Sequence, residues 1–221
     1  MADKEILIFV EGPSDKVFLE VYLYFLEDIP IKNFKVKDVT GKDNLSKRLL
    51  EIEKYDKTLI IFDADKDYES NKKEILSKTQ QKITEEQIFL FPNNQDDGDL
   101  ETLLLEIAKY DEFLKCFEGY LECIKSKEHY KPIKNIRKNM LYAYLEVFEL
   151  QNFFQDKRNK NDKKNEEKII IDDKGKIRKE YKEEYERLKE VIDLNSKSLI
   201  PLKNFLGQFA ENNQKTNFKI F

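Results

Sequence analysis

Two apolar runs in this chain end directly in acid. Glu11 follows Ile6-Leu7-Ile8-Phe9-Val10, and Asp63-Ala64-Asp65 follows Thr58-Leu59-Ile60-Ile61-Phe62. Carboxylates are hard oxygen ligands that suit Mg²⁺ or Mn²⁺ rather than zinc. Asp-x-Asp just beyond a strand can aim two carboxylates into one pocket, and Ala64 between them takes little room. Clustered carboxylates repel one another, so their pKa values rise unless a cation compensates. With a cation such a rim can polarise a phosphate, generate hydroxide and stabilise a leaving oxygen. Asp67, Asp97, Asp99 and Glu101 can supply further ligands. The single histidine, His129, has no cysteine or histidine arrangement to complete a soft-ligand site. Cys116 and Cys123 are explained as well by packing as by redox chemistry.

Each acid also has a plainer role open to it. Glu11 can serve the terminus of the first helix, and Asp63 and Asp65 can merely end a strand. Asp67 can face water beside Lys66, and Asp99 can cap the helix that starts at Leu100. Glu11-Gly12-Pro13-Ser14 turns sharply into a helix whose backbone N–H groups can hold a phosphate oxygen. Gly12 eases that turn and is a candidate ligand contact. Lys16 can neutralise a substrate phosphate or remain an ordinary solvated lysine. Neither a Walker loop nor a Gly-x-Gly-x-x-Gly pattern occurs.

Positioning these acids falls to four strands. Ile6–Val10 and Thr58–Phe62 are continuous apolar runs and read as buried parallel strands. Phe34–Val39 alternates and suits a strand near an edge; Gln87–Phe91 is the fourth, ended by Pro92. Helices are expected between them: one capped by Ser14, one over Leu45–Tyr55 capped by Asn44, a short one around Lys72–Lys78, and one over Leu100–Tyr110. The βαβαβαβα order implies an α/β fold with four mainly parallel strands, flanking helices and right-handed crossovers. Strands of one sense end along one edge, where ligands bind. Glu11, Asp63 and Asp65 are therefore expected on one rim.

After Asp111 no comparable strand run appears. Helical stripes run over Phe113–Ile124, Met140–Phe148, Tyr181–Ile192 and Pro201–Phe209, and Ile169–Lys176 can form a small hairpin. The expected organisation is an α/β domain over 1–111 and a mostly helical elaboration over 112–221, with a charged loop near 156–180. Charged residues make up 38% of the chain, yet the net charge is only -4. The first part, through Asp111, carries 16 basic against 25 acidic residues; the rest carries 24 against 19. An acidic surface repels nucleic acid unless cations or a basic neighbour compensate. The two cysteines lack framework spacing, no signal peptide is visible, and no run approaches the ~18 apolar residues of a membrane span. A cytoplasmic protein without a membrane role is expected.

Val10-Glu11-Gly12-Pro13-Ser14-Asp15 resembles the opening signature of TOPRIM domains, found in topoisomerases, primases, small ribosomal-RNA maturation nucleases and OLD-type nucleases. Phe62-Asp63-Ala64-Asp65-Lys66-Asp67 resembles their Asp-x-Asp signature, and Asp96–Leu104 resembles a segment of stand-alone TOPRIM proteins linked to defence nucleases. The resemblance covers Lys4 to Tyr110 and implies a TOPRIM-like fold. It implies Glu11 as general acid/base or metal ligand, Asp63 and Asp65 as Mg²⁺ ligands, and Asp67 as auxiliary. The expectation is a Mg²⁺- or Mn²⁺-dependent nuclease on DNA or RNA, with catalytic Glu11, Asp63 and Asp65. The alternative is a non-catalytic TOPRIM-like adaptor or regulatory subunit in phage defence, partnered by an ATPase or another protein.

Overall fold

A computed structural model of the protein describes residues 6–29, 34–55, 57–131, 133–155 and 168–215, with side chains through Ala210. Four strands, β1 (Ile6–Val10), β2 (Phe34–Asp38), β3 (Lys57–Asp63) and β4 (Ile88–Phe91), form one sheet in the order β2-β1-β3-β4. Every pairing is parallel. β1 and the 59–62 stretch of β3 are apolar throughout because both faces of the sheet are covered. Ile6, Ile8, Val10, Leu59 and Ile61 enter one core layer; Leu7, Phe9, Ile60 and Phe62 enter the other. β2 is an edge strand, with Phe34 and Val36 buried and Lys35 exposed between them. At the other edge Asn94 closes the ladder. Its Oδ1 accepts from Leu90 N–H at 3.0 Å and its N–H donates to Leu90 C=O at 2.7 Å.

The first layer packs β1, β3 and β4 against α1 (Pro13–Phe25) and α4 (Leu100–Glu106). The second is closed by a 3-10 segment (Lys42–Arg48), the short α2 (Leu49–Ile52) and α3 (Tyr68–Lys78) through Leu45, Ile52 and Ile75. The later half of the chain folds onto the first layer. It supplies α5 (Asp111–Lys125), α6 (Ile136–Val147), α7 (Lys182–Val191) and α8 (Ile200–Lys215). Leu141, Leu145, Leu188, Leu202 and Leu206 join the same cluster as the sheet. The Phe205 ring lies 5.4 Å from that of Phe89, and Tyr144 Oη donates to Val191 C=O at 2.7 Å.

Several local expectations are corrected. The cap of α1 is Gly12, with Pro13 at the first helical position; Ser14 lies inside the first turn. Asn44 does not cap a helix over Leu45–Tyr55. The segment starts earlier, behind Gly41, and its first part is 3-10. Asn44 instead donates to Thr40 C=O at 2.7 Å. α3 begins at Tyr68 because Asp67 accepts from Ser70 N–H at 2.9 Å and caps it. α4 stops at Glu106 because the next residues pair elsewhere: Ala108 bridges Ile192, and Lys109 N–H donates to Val191 C=O at 2.9 Å. The α5 stripe is helical yet buries none of its residues fully; it leans on α6 through Phe113 and Phe148, 5.5 Å apart. The hairpin is a single Ile171–Ile177 bridge around a turn. Of the charged loop, residues 156–167 lie outside the described residues. Among the described residues no helix is long and apolar enough to cross a membrane.

Because Leu206 is fully buried beside the sheet, Leu206→Ala is expected to lower stability by about 2–5 kcal/mol. Leu50→Ala, at a position 74% exposed, should change it by less than about 0.5 kcal/mol. Urea unfolding followed by circular dichroism measures both. A negligible loss for Leu206→Ala would show that α8 is not part of the sheet's core.

Candidate functional site

The strand order reverses between β1 and β3: the chain steps from β1 outward to β2, then returns to β3 on the other side. Such a switch point opens a crevice at the carboxyl edge. Val10 pairs with Ile61, so Glu11 stands beside the end of β3, and the Asp63 N–H bonds its carboxylate. Four carboxyl groups converge here. Glu11 follows β1, Asp63 ends β3, Asp15 lies in the first turn of α1, and Glu101 in the first turn of α4. Burial raises all four above their ordinary range, and repulsion from nearby acids adds to it: from within the four for Asp15 and Asp63, from Asp65 and Glu74 for Glu11, and from Asp99 for Glu101. Asp15 is pushed up to about 7, by burial first and then by Glu101 and Glu11; the Gly12 N–H, 2.7 Å from its Oδ2, and Lys138 oppose the rise. Asp63 is raised well above its usual value by burial, then by Asp15, Glu11 and Glu101.

The remaining predicted residues have specific local partners. The two acids of Asp63-Ala64-Asp65 diverge. Asp63 Oδ1 accepts from Leu100 N–H at 2.9 Å, whereas exposed Asp65, in the left-handed region at φ 54°, pairs with Lys42. Gly98 buttresses that turn. Its C=O accepts from Asp65 N–H at 2.7 Å, and at φ 150° an added Cβ would lie 3.0 Å from Pro92 Cδ. Asp67 caps α3, and Asp97 accepts from Tyr68 N–H at 2.8 Å, so both serve that helix terminus. Asp99 caps α4 through Thr102 N–H at 2.8 Å and lies 3.8 Å from Arg137. Gly12 directs its N–H to Asp15, and Lys16 is buried 3.7 Å from Glu20 of its own helix.

Four contributors escaped the sequence reading. Asp15 sits within the quoted signature, but only the turn at Gly12 reveals that its side chain folds back into the rim. Lys42 follows a glycine in a stretch with nothing to mark it, and it reaches Glu11 and Asp65 through the fold. Arg137 and Lys138 of α6 each keep 57% of the side chain exposed and bring positive charge from the later half to Asp99 and Glu101.

The donor set suits a hard cation in its chemistry. Glu11 Oε2 is shielded from water and makes no hydrogen bond, its charge partner Lys42 Nζ standing 3.9 Å away, so it keeps acceptor capacity of the kind that such an ion would satisfy. Among the described residues, no three His, Cys, Asp or Glu side chains are already drawn together as a metal-holding group. The rim therefore has the right ligand chemistry in an unclosed arrangement. Two open clefts, of about 400 and 340 Å³, lie elsewhere: one between β4 and α8, lined by Asn94 and Phe205, the other lined by Phe25, Lys109 and Leu194.

Fold and site together define a class: a parallel α/β protein with a buried carboxylate rim at its switch point. Residues 5–211 match the family described as "Protein of unknown function (DUF3226)", and the chain belongs to that family. No curated protein and no solved structure matches it.

The raised carboxyls have a thermodynamic signature. Asp15 moves from 3.8 to about 7 on folding, so the folded state holds the proton more tightly than the unfolded state. Its charge costs nothing below about pH 3.8, and stability falls as pH climbs from there through about 7. In chelator, Asp15→Asn should flatten this decline, because its amide oxygen still accepts from Gly12 while carrying no charge. Urea midpoints between about pH 4 and 8 give the slope. A wild-type slope that rises across that interval would contradict the burial of ionised acid at the rim.

Proposed function

We propose that this rim is a Mg²⁺- or Mn²⁺-dependent phosphodiesterase centre of TOPRIM type, acting on DNA or RNA. The observation that carries the reading is the convergence of Glu11, Asp15, Asp63 and Glu101 at the carboxyl edge where strand order reverses. The Val10–Asp15 and Phe62–Asp67 signatures occupy the two strand ends that meet there. Asp63, Asp15 and Glu101 would hold the cation, Glu11 would either complete the coordination or transfer a proton, and Asp65 lies within reach of the same edge. Bound there, a divalent cation polarises a phosphoryl oxygen and lowers the pKa of an attacking water.

The chain's own groups account for the rest. Glu11 Oε2 is buried and its carboxyl is raised, so it can hold a proton and deliver it to the leaving oxygen. Lys138 and Arg137 present positive charge beside an otherwise acidic rim and draw in the phosphate backbone. Asp15 keeps the Gly12 turn closed against α1. Asp67, Asp97 and Asp99 hold helix termini and shape the walls of the crevice rather than its floor.

The test is cleavage of plasmid, single-stranded DNA and RNA with Mg²⁺ or Mn²⁺. Glu11→Gln should slow cleavage by ~10²–10⁴-fold, and Asp63→Asn should remove the metal-dependent rate. Cleavage that survives Asp63→Asn combined with Asp65→Asn would end this mechanism. One observation favours the second reading, a non-catalytic adaptor: α5 leaves Phe113 and Tyr120 exposed on an amphipathic helix. Under that reading all three nucleic acids stay intact, and a partner such as an ATPase co-purifies only while Phe113 and Tyr120 are present.

A further inference from the structure

Resting on the cation-binding reading of the rim, the geometry points to Lys42 as its resident cation: the ammonium takes the place of a second divalent ion, and the centre accepts a single one. Gly41, at φ 98°, turns the chain back from β2, and its N–H donates to Glu11 C=O at 2.9 Å. That bond fixes where Lys42 starts. Its Nζ then pairs with Asp65, donates to Asn71 Oδ1 at 2.8 Å and lies 3.9 Å from Glu11 Oε2. Asn71 is itself anchored, donating to Ala64 C=O and, at 3.2 Å, to Asp67 C=O. The Lys42 side chain is only 13% exposed. A lysine held this way gives up rotamer freedom, so it must be held by definite partners, and the three groups around it are those partners.

The consequence is a partition of the acids. Lys42 bridges Glu11 to Asp65, the place that the second ion of a two-metal site would take between carboxylates. A divalent ion on that side would have to displace an ammonium already ion-paired in the rim. The cation acting on Glu11 is Lys42, whereas the one acting on Asp15 and Glu101 is Lys138. Apart from the Gly12, Leu100 and Glu101 N–H groups, their positive neighbour among the described residues is Lys138, more than half exposed. That side has the uncompensated charge for a divalent ion; the Lys42 side does not.

Electron paramagnetic resonance of free Mn²⁺, titrated with the full chain, counts bound ions without reference to catalysis. The wild type and Lys42→Arg should each retain a single Mn²⁺. Lys42→Met, or Lys42→Gln if the Met variant does not fold, should retain a second. Two ions in the wild type, or a single ion in both uncharged variants, would overturn the role of Lys42 and leave the metal reading intact. No ion held by any of the proteins would overturn both.

Discussion

Like charges forced together out of water set the terms for this molecule. In a parallel sheet the strands cannot choose separate ends for their polar termini; each run of apolar side chains must finish at the same edge. Where strand order reverses, no crossover covers that edge. Glu11 and Asp63 end neighbouring strands at such a point, and the first turns of α1 and α4 add Asp15 and Glu101. A carboxylate pair some 4 Å apart repels by about 4 kcal/mol at an effective dielectric of 20, before any desolvation. A fold stable by about 5–15 kcal/mol has little room for like-charge repulsion on that scale. Relief comes from fixed main-chain donors, from Lys42, from the cations of α6, and from protons.

The same constraint explains why the two halves of the chain are joined as they are. One sheet face is closed locally by Leu45, Ile52 and Ile75. α1 and α4 cover only part of the other, and Phe89 and Phe91 on β4 need further partners. The later helices provide them through Phe205 and its neighbours. Tyr22 Oη, 3.4 Å from Leu199 C=O, and Tyr144 Oη, bonded to Val191 C=O, tie this layer together with buried polar contacts that each find an acceptor. Docking α6 on α4 for apolar reasons also delivers Arg137 and Lys138 to the acidic rim. Packing and electrostatics thus use one surface.

The strands were legible because a both-faces-buried strand needs a continuous apolar run, and Ile6–Val10 and Thr58–Phe62 have nothing else in them. Their shared edge followed from alternation with helices alone. Less legible were the helix starts, since Ser14 and Asn44 are good caps by residue type, yet Gly12 and Gly41 take the turns. Backbone geometry there outranks side-chain preference. The rim was half legible. Acids directly after strands announce themselves, whereas Asp15 joins the rim only once the turn closes, and Lys42 only once β2 lies beside β1. The spacing of Asp63 and Asp65 suggested a shared pocket. A left-handed residue between β3 and α3 sends Asp65 to Lys42 instead, and local spacing carries no mark of that turn. Asp67 and Asp97 illustrate the converse: acids that look like ligands in a row serve a helix terminus in space.

The chemistry of the rim follows from how its charges are compensated more than from how many there are. Main-chain N–H groups are fixed donors of partial charge; they steady Asp15 and Asp63 without neutralising them. Lys42 carries a full charge on a long stem held by Asn71, and so is committed to one side. Lys138 carries the same charge at 57% exposure, where screening weakens it and it can move toward an incoming phosphate. A rim built this way is strongly compensated at Asp65, partly at Glu101, and least at the buried floor where Asp63 meets Asp15. Desolvation makes that floor the costliest place for charge. For the same reason, a small divalent cation has the most to gain there.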